Sequence, residues 1–214
     1  MVLYLIAMEE EAKDIVSSFE LVENDIVKIY QKENTLIGIT NVGKVNAAFA
    51  STYILSKYEN IKIIVNIGFA GAYGKYQIGD YVLVDQAIYH DFDLTPFNYK
   101  MGQVPNIKEE LLTDRKFLTL FYDLKRTKLF TGDQFLNKEI TDDFLVDMEG
   151  TALYHIAHLM KKEIFSIKVV SDVIGQKEHL EEYNKFEQEG SKNLLDLFNM
   201  IEVRLNEKGI DFIK

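Results

Sequence analysis

Short apolar segments that stop at acidic or glycine residues constrain this chain most. Residues 2–7 run through a methionine into three consecutive glutamates, and residues 62–67 stop at a glycine. Residues 164–170 form a third such segment, and a serine and an aspartate follow it. Short β-branched and apolar runs of this kind are typical of buried strands. We therefore expect several strands that deliver polar groups at the point where they end.

Helical patterns lie between the strand-like segments. We expect helices over residues 9–19, 44–58, 107–122, 148–160 and 181–205. Further strands are expected over residues 25–31, 35–40, 81–88 and 128–131, with loops over residues 68–80 and 91–105. This alternation predicts an α/β fold with a mixed, largely parallel central β-sheet flanked by helices on both faces. No linker-like or low-complexity stretch interrupts it, so we expect a single domain over residues 1–214.

Composition excludes several classes of function. The formal net charge is −10, which disfavours nucleic acid and anionic membrane surfaces as partners. The chain has no cysteine, so disulfides, thiolate nucleophiles and cysteine-based zinc sites are excluded. We find no leader-like segment and no apolar run near the roughly 20 residues of a membrane span. The expectation is a cytoplasmic protein.

Acidic or glycine residues follow predicted strands at three places, Glu9–Glu11, Gly68–Gly71 and Ser171–Asp172, and a fourth group, Asp147–Glu149, lies at the start of a predicted helix. In open α/β sheets, ligands bind beyond the carboxyl ends of the strands. Simpler explanations exist, because acidic residues suit helix N-termini and Asp172 could be an N-cap. The glycine segment does not match a dinucleotide or triphosphate motif. Jointly, the four places predict a pocket of carboxylates for acid–base hydrolysis. An aromatic loop over residues 91–105 and Phe135 would suit a flat heterocycle.

Seven motifs occur along the chain in this order: IAMEEEA, NVGKVNAA, NIGFAGAYG, YHDFDLTPFNYKMGQVP, TGDQF, DMEGTA and VVSD. This set resembles the 5'-methylthioadenosine/S-adenosylhomocysteine nucleosidase family, within the purine nucleoside phosphorylase superfamily. The resemblance spans residue 6 to about residue 180. It implies a nucleoside phosphorylase-like fold and hydrolysis of the N-glycosidic bond of methylthioadenosine and/or adenosylhomocysteine. Adenine and the thioribose product would be released, without a cofactor or metal ion.

The resemblance also implies residue roles. Glu11 matches the general base that activates water, Asp172 the general acid that protonates adenine, and Glu149 the acid that binds the ribose hydroxyls. We expect burial and nearby carboxylates to raise the pKa of Asp172, while Glu11 stays ionised. The remaining substrate-binding positions are Met8, Phe69, Gly71, Phe135, Leu136, Met148 and Ser171. Four positions match a loop that closes the neighbouring subunit's pocket and so imply a homodimer: Leu94, Phe97, Tyr99 and Pro105.

Three alternatives stay open at this point. The first is a purine nucleoside phosphorylase, although Phe69 offers no side-chain donor for phosphate and Glu11 would repel it. The second is a nucleosidase acting on aminofutalosine, and the third is a nucleoside-binding protein without catalysis. Phe69 and Lys168 stand where many bacterial members have serine and arginine, and Asp147 stands where glutamate is common. The sequence therefore leaves the preferred 5' substituent open.

Overall fold

A computed structural model describes residues 1–107, 110–134, 136, 140–141, 143–175 and 190–209. The described residues form ten strands and five α-helices. The strands are β1 (Val2–Ile6), β2 (Glu20–Glu23), β3 (Ile29–Lys32), β4 (Thr35–Ile39), β5 (Ile63–Tyr73), β6 (Tyr81–Tyr89), β7 (Leu111–Leu112), β8 (Lys125–Thr131), β9 (Phe144–Asp147) and β10 (Glu163–Val173). The helices are α1 (Glu9–Val16), α2 (Lys44–Lys57), α3 (Arg115–Leu120), α4 (Gly150–Leu159) and α5 (Ser191–Lys208).

Five of the strands close into a ring. β10 pairs with β5 in parallel and with β6 antiparallel, while β8 joins β6 to β9 through parallel pairs. The last three residues of β5 pair antiparallel with β9 and complete the ring. The first half of β5 instead pairs in parallel with β1, from which β4, β3 and β2 extend the sheet.

The long strand β5 therefore changes partner along one edge. Its residues 63–66 pair with β1, and its residues 71–73 pair with β9. Residues 67–70 lie between these two registers, where the carboxyl end of β1 diverges from the end of β9. Such a switch point in an α/β sheet is where ligands characteristically bind.

Alternate side chains of β1 enter two separate hydrophobic cores. Leu3 and Leu5 pack with residues of α2 and α4, whereas Tyr4 and Ile6 pack with residues of α1 and α5. All four side chains are fully buried. The sheet is thus covered by helices on both faces, as the apolar pattern of the strands requires, and the predicted fold class is confirmed.

The predicted loop over residues 68–80 is wrong in its first half. β5 continues through the glycine-rich segment to Tyr73, because β10 pairs with it along its whole length. β10 likewise continues to Val173 rather than ending at residue 170. Asp172 is therefore a strand residue and not the N-cap of a helix. Long-range pairing, which local sequence does not show, extends both strands.

The predicted helix over residues 107–122 is also wrong. Leu111–Leu112 pairs with β6 instead, and among the described residues of this range a helix forms only over Arg115–Leu120, capped by the Asp114 carboxylate. Besides Leu111–Leu112, two further strands were missed, Glu20–Glu23 and Phe144–Asp147. The described part of the last helix begins at Ser191, so the predicted start over residues 181–189 lies outside the described residues. No helix in the described ranges is long and apolar enough to cross a membrane.

Candidate active site

A cavity with an empty volume of about 690 Å³ opens where β5 changes partner. Its wall is formed by the segments after β1 and β9, the middle of β5 and the end of β10. The lining residues are Ala7, Met8, Glu11, Val42, Phe69, Ala70, Gly71, Gln134, Leu136, Val146, Asp147, Met148, Glu149, Ser171 and Asp172. The structure thus brings together nine positions that the sequence predicted: Met8, Glu11, Phe69, Gly71, Leu136, Met148, Glu149, Ser171 and Asp172.

Glu11 enters the cavity from the first turn of α1. Its carboxylate accepts a hydrogen bond from the Phe69 N–H at 3.3 Å and one from the Met8 N–H at 3.4 Å. Only 3% of the residue is exposed. The two backbone donors come from β5 and from the residue before the helix, so they fix the carboxylate between the two strands. Hydrogen bonds to a carboxylate favour its ionised form.

A buried ion pair lies beside Glu11. Lys168 Nζ is 2.9 Å from Asp147 Oδ2, and both side chains are at most 3% exposed. A Cβ atom at Gly68 would lie 3.4 Å from Glu11 Oε2 and 3.7 Å from Lys168 Nζ. The carboxylate and the ammonium group therefore face the same point above Gly68. A glycine there leaves room for a small nucleophile such as water.

A β-bulge directs Asp172 into the cavity. In the pairing of β10 with β5, Val170 lies opposite Ala70 and Asp172 opposite Gly71, so Ser171 is the extra residue. Such bulges re-aim side chains and are common next to active sites. The Ser171 hydroxyl donates to Asp172 Oδ1 at 2.7 Å. Because a Cβ at Gly71 would lie 3.0 Å from Asp172 Oδ2, this glycine makes space for the carboxyl group.

Glu149 lies at the start of α4 and is 7% exposed. Its Oε1 accepts a hydrogen bond from the Gly43 N–H at 2.8 Å. Burial, followed by the charge of Asp147, raises the pKa of Glu149 to about 7, while Lys168 and the Gly43 N–H oppose the rise. The pKa of Glu149 therefore lies close to neutral pH, and such a shifted pKa is typical of functional carboxylates in a cleft.

None of the five other predicted site residues belongs to the described lining of the cavity. Phe135 is outside the described residues. Leu94, Phe97, Tyr99 and Pro105 belong to the segment after β6, which contains a 3₁₀ turn over Thr95–Phe97 and lies away from the described lining. Phe97 is 71% exposed. Their predicted contact with a neighbouring subunit stays a prediction.

Sequence reasoning missed Val42, Gln134 and the Gly43 N–H donor. All three lie within or next to the NVGK and TGDQF motifs, so the family motifs held the signal without assigning a role to these positions. Asp147 was predicted as one of the carboxylates of the pocket and as a departure from the family pattern, without a partner, and the structure makes it the partner of Lys168. Among the described residues, no group of three or more His, Asp or Glu side chains is arranged to hold a metal ion.

Comparisons with known proteins agree with this geometry. The phosphorylase superfamily profile matches residues 2–201. The chain is 29% identical over 212 residues to a Staphylococcus haemolyticus 5'-methylthioadenosine/S-adenosylhomocysteine nucleosidase, covering 87% of this chain and 92% of the relative. It superposes with a TM-score of 0.84 and 31% identity on a Borrelia burgdorferi structure assigned as the same nucleosidase and bound to adenine, covering 92% and 97% of the two chains.

A futalosine hydrolase mutant of Helicobacter pylori shares the fold, with a TM-score of 0.83 at 19% identity, covering 94% and 98% of the two chains. At that identity the likeness concerns the fold alone. The profile match over nearly the whole sequence and the Borrelia burgdorferi likeness are the stronger findings, and they agree with the motif order. The chain belongs to the phosphorylase superfamily.

Proposed function

We propose that this protein hydrolyses the N-glycosidic bond of 5'-methylthioadenosine and/or S-adenosylhomocysteine and releases adenine. One observation carries the proposal: Glu11, Glu149 and Asp172 come from three distant parts of the chain and line one cavity. Each of the three residues is at most 7% exposed. The names of the relatives at 29% and 31% identity support the same reaction.

The roles follow from the charge that develops during bond cleavage. Breaking the glycosidic bond leaves positive charge on the ribose ring, which carboxylates stabilise. Glu11 removes a proton from the attacking water, and Asp172 protonates the adenine as it leaves. Glu149 accepts hydrogen bonds from the ribose hydroxyls. Support for these roles comes from the bulge at Ser171, which turns Asp172 toward the cavity, and from the Phe69 and Met8 N–H groups, which hold the Glu11 carboxylate.

Water is a better nucleophile here than phosphate. The Phe69 N–H points at the Glu11 carboxylate, and the Lys168 ammonium pairs with Asp147. Both donors near the nucleophile position therefore already contact a carboxylate. The negative charges of these carboxylates would repel a phosphate ion. The hydrolytic reaction is therefore favoured over phosphorolysis.

The proposed enzyme is a homodimer in which residues 91–105 cover the neighbour's cavity. Two side chains of this loop support the arrangement, because Phe97 is 71% and Met101 is 47% exposed. On α2, beside the cavity residue Val42, Val45 is 78% and Phe49 is 55% exposed. Apolar side chains grouped at the surface in this way mark interaction sites.

The test is incubation with methylthioadenosine in phosphate-free buffer, following free adenine. We expect release in the wild type, and a loss of about 10²- to 10⁴-fold in kcat for Glu11→Gln and for Asp172→Asn. Glu10→Gln is the matched control, because this exposed residue precedes Glu11 on the same helix and should keep full activity. Release that requires added phosphate would indicate a phosphorylase. Tight binding without turnover would indicate a nucleoside-binding protein, and preference for aminofutalosine would indicate the other nucleosidase.

A further inference from the structure

Three charged side chains outside the cavity lining form a closed cluster. Lys44, the first residue of α2, donates its N–H to Asp133 Oδ1 at 3.0 Å. Its ammonium group is 2.5 Å from Asp91 Oδ2 and 3.6 Å from Asp133 Oδ2. The Asp133 N–H donates to Asp91 Oδ2 at 2.9 Å. The cluster thus joins the start of α2, the start of the aromatic loop and the loop after β8.

This cluster is better protected than an ordinary surface ion pair. This holds for the pair of Lys44 and Asp91, whose side chains are 23% and 14% exposed, whereas Asp133, at the rim of the cluster, is 48% exposed. The Lys44 ammonium also lies 5.6 Å from the centre of the buried Tyr89 ring. Partial burial reduces screening by solvent, and a shared network holds its members in one geometry better than an isolated pair.

Residues next to Lys44 and Asp133 in the sequence line the cavity or contact a residue that lines it. Gly43, directly before Lys44, gives its N–H to Glu149, and Val42 before it lines the cavity. Gln134, directly after Asp133, also lines the cavity. Gly43 has a positive φ of 98°, a conformation that suits glycine and that the flanking hydrogen bonds must hold.

We propose that Lys44 is a positioning residue: with Asp91 and Asp133 it holds the backbone of residues 42–44 so that the Gly43 N–H stays aimed at Glu149. This inference rests on the proposed function, in which ionised Glu149 accepts hydrogen bonds from the ribose hydroxyls. Lys44 acts through the backbone and lies outside the lining of the cavity.

The groups that face Glu149 determine the sign of the expected effect. Asp147 from β9 and Glu11 from α1 raise its pKa, after the larger effect of burial, while Lys168 from β10 and the Gly43 N–H lower it. Misplacing the Gly43 N–H removes one of the two influences that favour the ionised form. The pKa of Glu149 then rises above about 7, and substrate binding is lost at a higher pH.

The experiment is the pH profile of kcat/KM for methylthioadenosine in Lys44→Met. We expect the acidic limb to move upward by about one pH unit. At neutral pH, KM rises about tenfold while kcat changes less, since ground-state binding of the ribose is what Glu149 loses. Lys44→Arg keeps both ion pairs and should restore the wild-type profile.

Asp133→Ala separates positioning from a direct charge effect. This substitution removes a negative charge, so a direct effect would move the acidic limb downward, opposite to Lys44→Met. Positioning predicts an upward shift in both variants, because each loses a contact that holds residues 43–44. A downward shift in Asp133→Ala would overturn the proposal. This variant also keeps the test decisive if Lys44→Met folds poorly.

Lys57→Met is the matched control. Lys57 lies in the last turn of the same helix, where it pairs with Glu23, far in sequence from the 42–44 segment. Its loss should leave the pH profile unchanged. An unshifted profile in Lys44→Met, in a wild-type enzyme that releases adenine, would refute this inference alone. A wild type without adenine release would refute the proposed function itself.

Discussion

Asp147 and Glu149 are only two residues apart and line the same cavity, but they have different partners. Asp147 accepts hydrogen bonds from the Thr131 hydroxyl at 2.6 Å and from the Gly150 N–H, and it pairs with Lys168 at 2.9 Å. Glu149 is buried to a similar degree, accepts a hydrogen bond from the Gly43 N–H, and has a pKa raised to about 7 by burial and by the charge of Asp147. The difference teaches that the partners of a buried carboxylate, more than its burial, separate a structural group from a chemical one.

The largest effect is expected from breaking the buried ion pair between Lys168 and Asp147. Lys168→Met leaves the Asp147 carboxylate buried without its counter-charge, which costs about 3–5 kcal/mol in the free energy of unfolding. Urea denaturation at neutral pH measures this loss. Lys125→Met is the control, because the partner of Lys125 is Asp80 and its own side chain is 44% exposed. Lys125→Met should lower the free energy of unfolding by about 1 kcal/mol or less. Equal losses in the two variants would contradict the expected difference between the buried and the exposed ion pair.

Substitution of Glu149 is expected to have a smaller effect on the free energy of unfolding, and at neutral pH this effect has the opposite sign. The pKa of Glu149 is raised from 4.5 to about 7, so the folded state binds a proton more tightly than the unfolded state does. The free energy of unfolding should therefore fall by about 3 kcal/mol as pH rises through this window. Glu149→Gln keeps an acceptor for the Gly43 N–H and removes this dependence.

Denaturation of the wild type and Glu149→Gln at pH 4 and pH 8 tests this expectation. The variant should be the more stable protein at the higher pH and should approach the wild type at the lower one. Glu10→Gln, at an exposed position, should follow the wild type at both. A variant that is less stable than the wild type at pH 8 would show that Glu149 is as well paired as Asp147.

The smallest effect concerns the space around the acid. In Gly71→Ala, the new Cβ would lie 3.0 Å from Asp172 Oδ2 and 3.1 Å from Val146 Cγ1. The carboxyl group must move by a few tenths of an ångström, so we expect kcat to fall about tenfold and stability to fall by about 1 kcal/mol. Adenine release and thermal melting measure the two effects. An unchanged kcat would show that the position of Asp172 tolerates the shift.

Much of the site was accessible from the sequence. The acidic residues after β1 were predicted from a strand-like run, those at the start of α4 from a helix start and a motif, and the family resemblance is confirmed by the comparisons. The strand pair around residues 32–35 was also correct, as β3 and β4. These features depend on residue type and on neighbours close in the chain.

The errors share one cause. The glycine-rich segment after residue 67 was predicted to be a loop, yet it is the second half of β5 because β10 and β9 pair with it. Residues 144–147 form β9 because β8 and β5 lie on either side. The bulge at Ser171 exists only in the register between β10 and β5. Pairing between distant segments overrode local propensity each time.

By itself, the sequence determined the alternation of strands and helices, the absence of cysteine chemistry and the supply of carboxyl groups near strand ends. Only the tertiary structure decided which of the two carboxyl groups pairs with a lysine and which has a raised pKa. Asp147 and Glu149 illustrate this, since Lys168 follows them in the chain and Gly43 precedes Glu149 by 106 residues. The physical reason is that desolvation and electrostatic interaction depend on distance in space, and separation along the chain does not encode that distance.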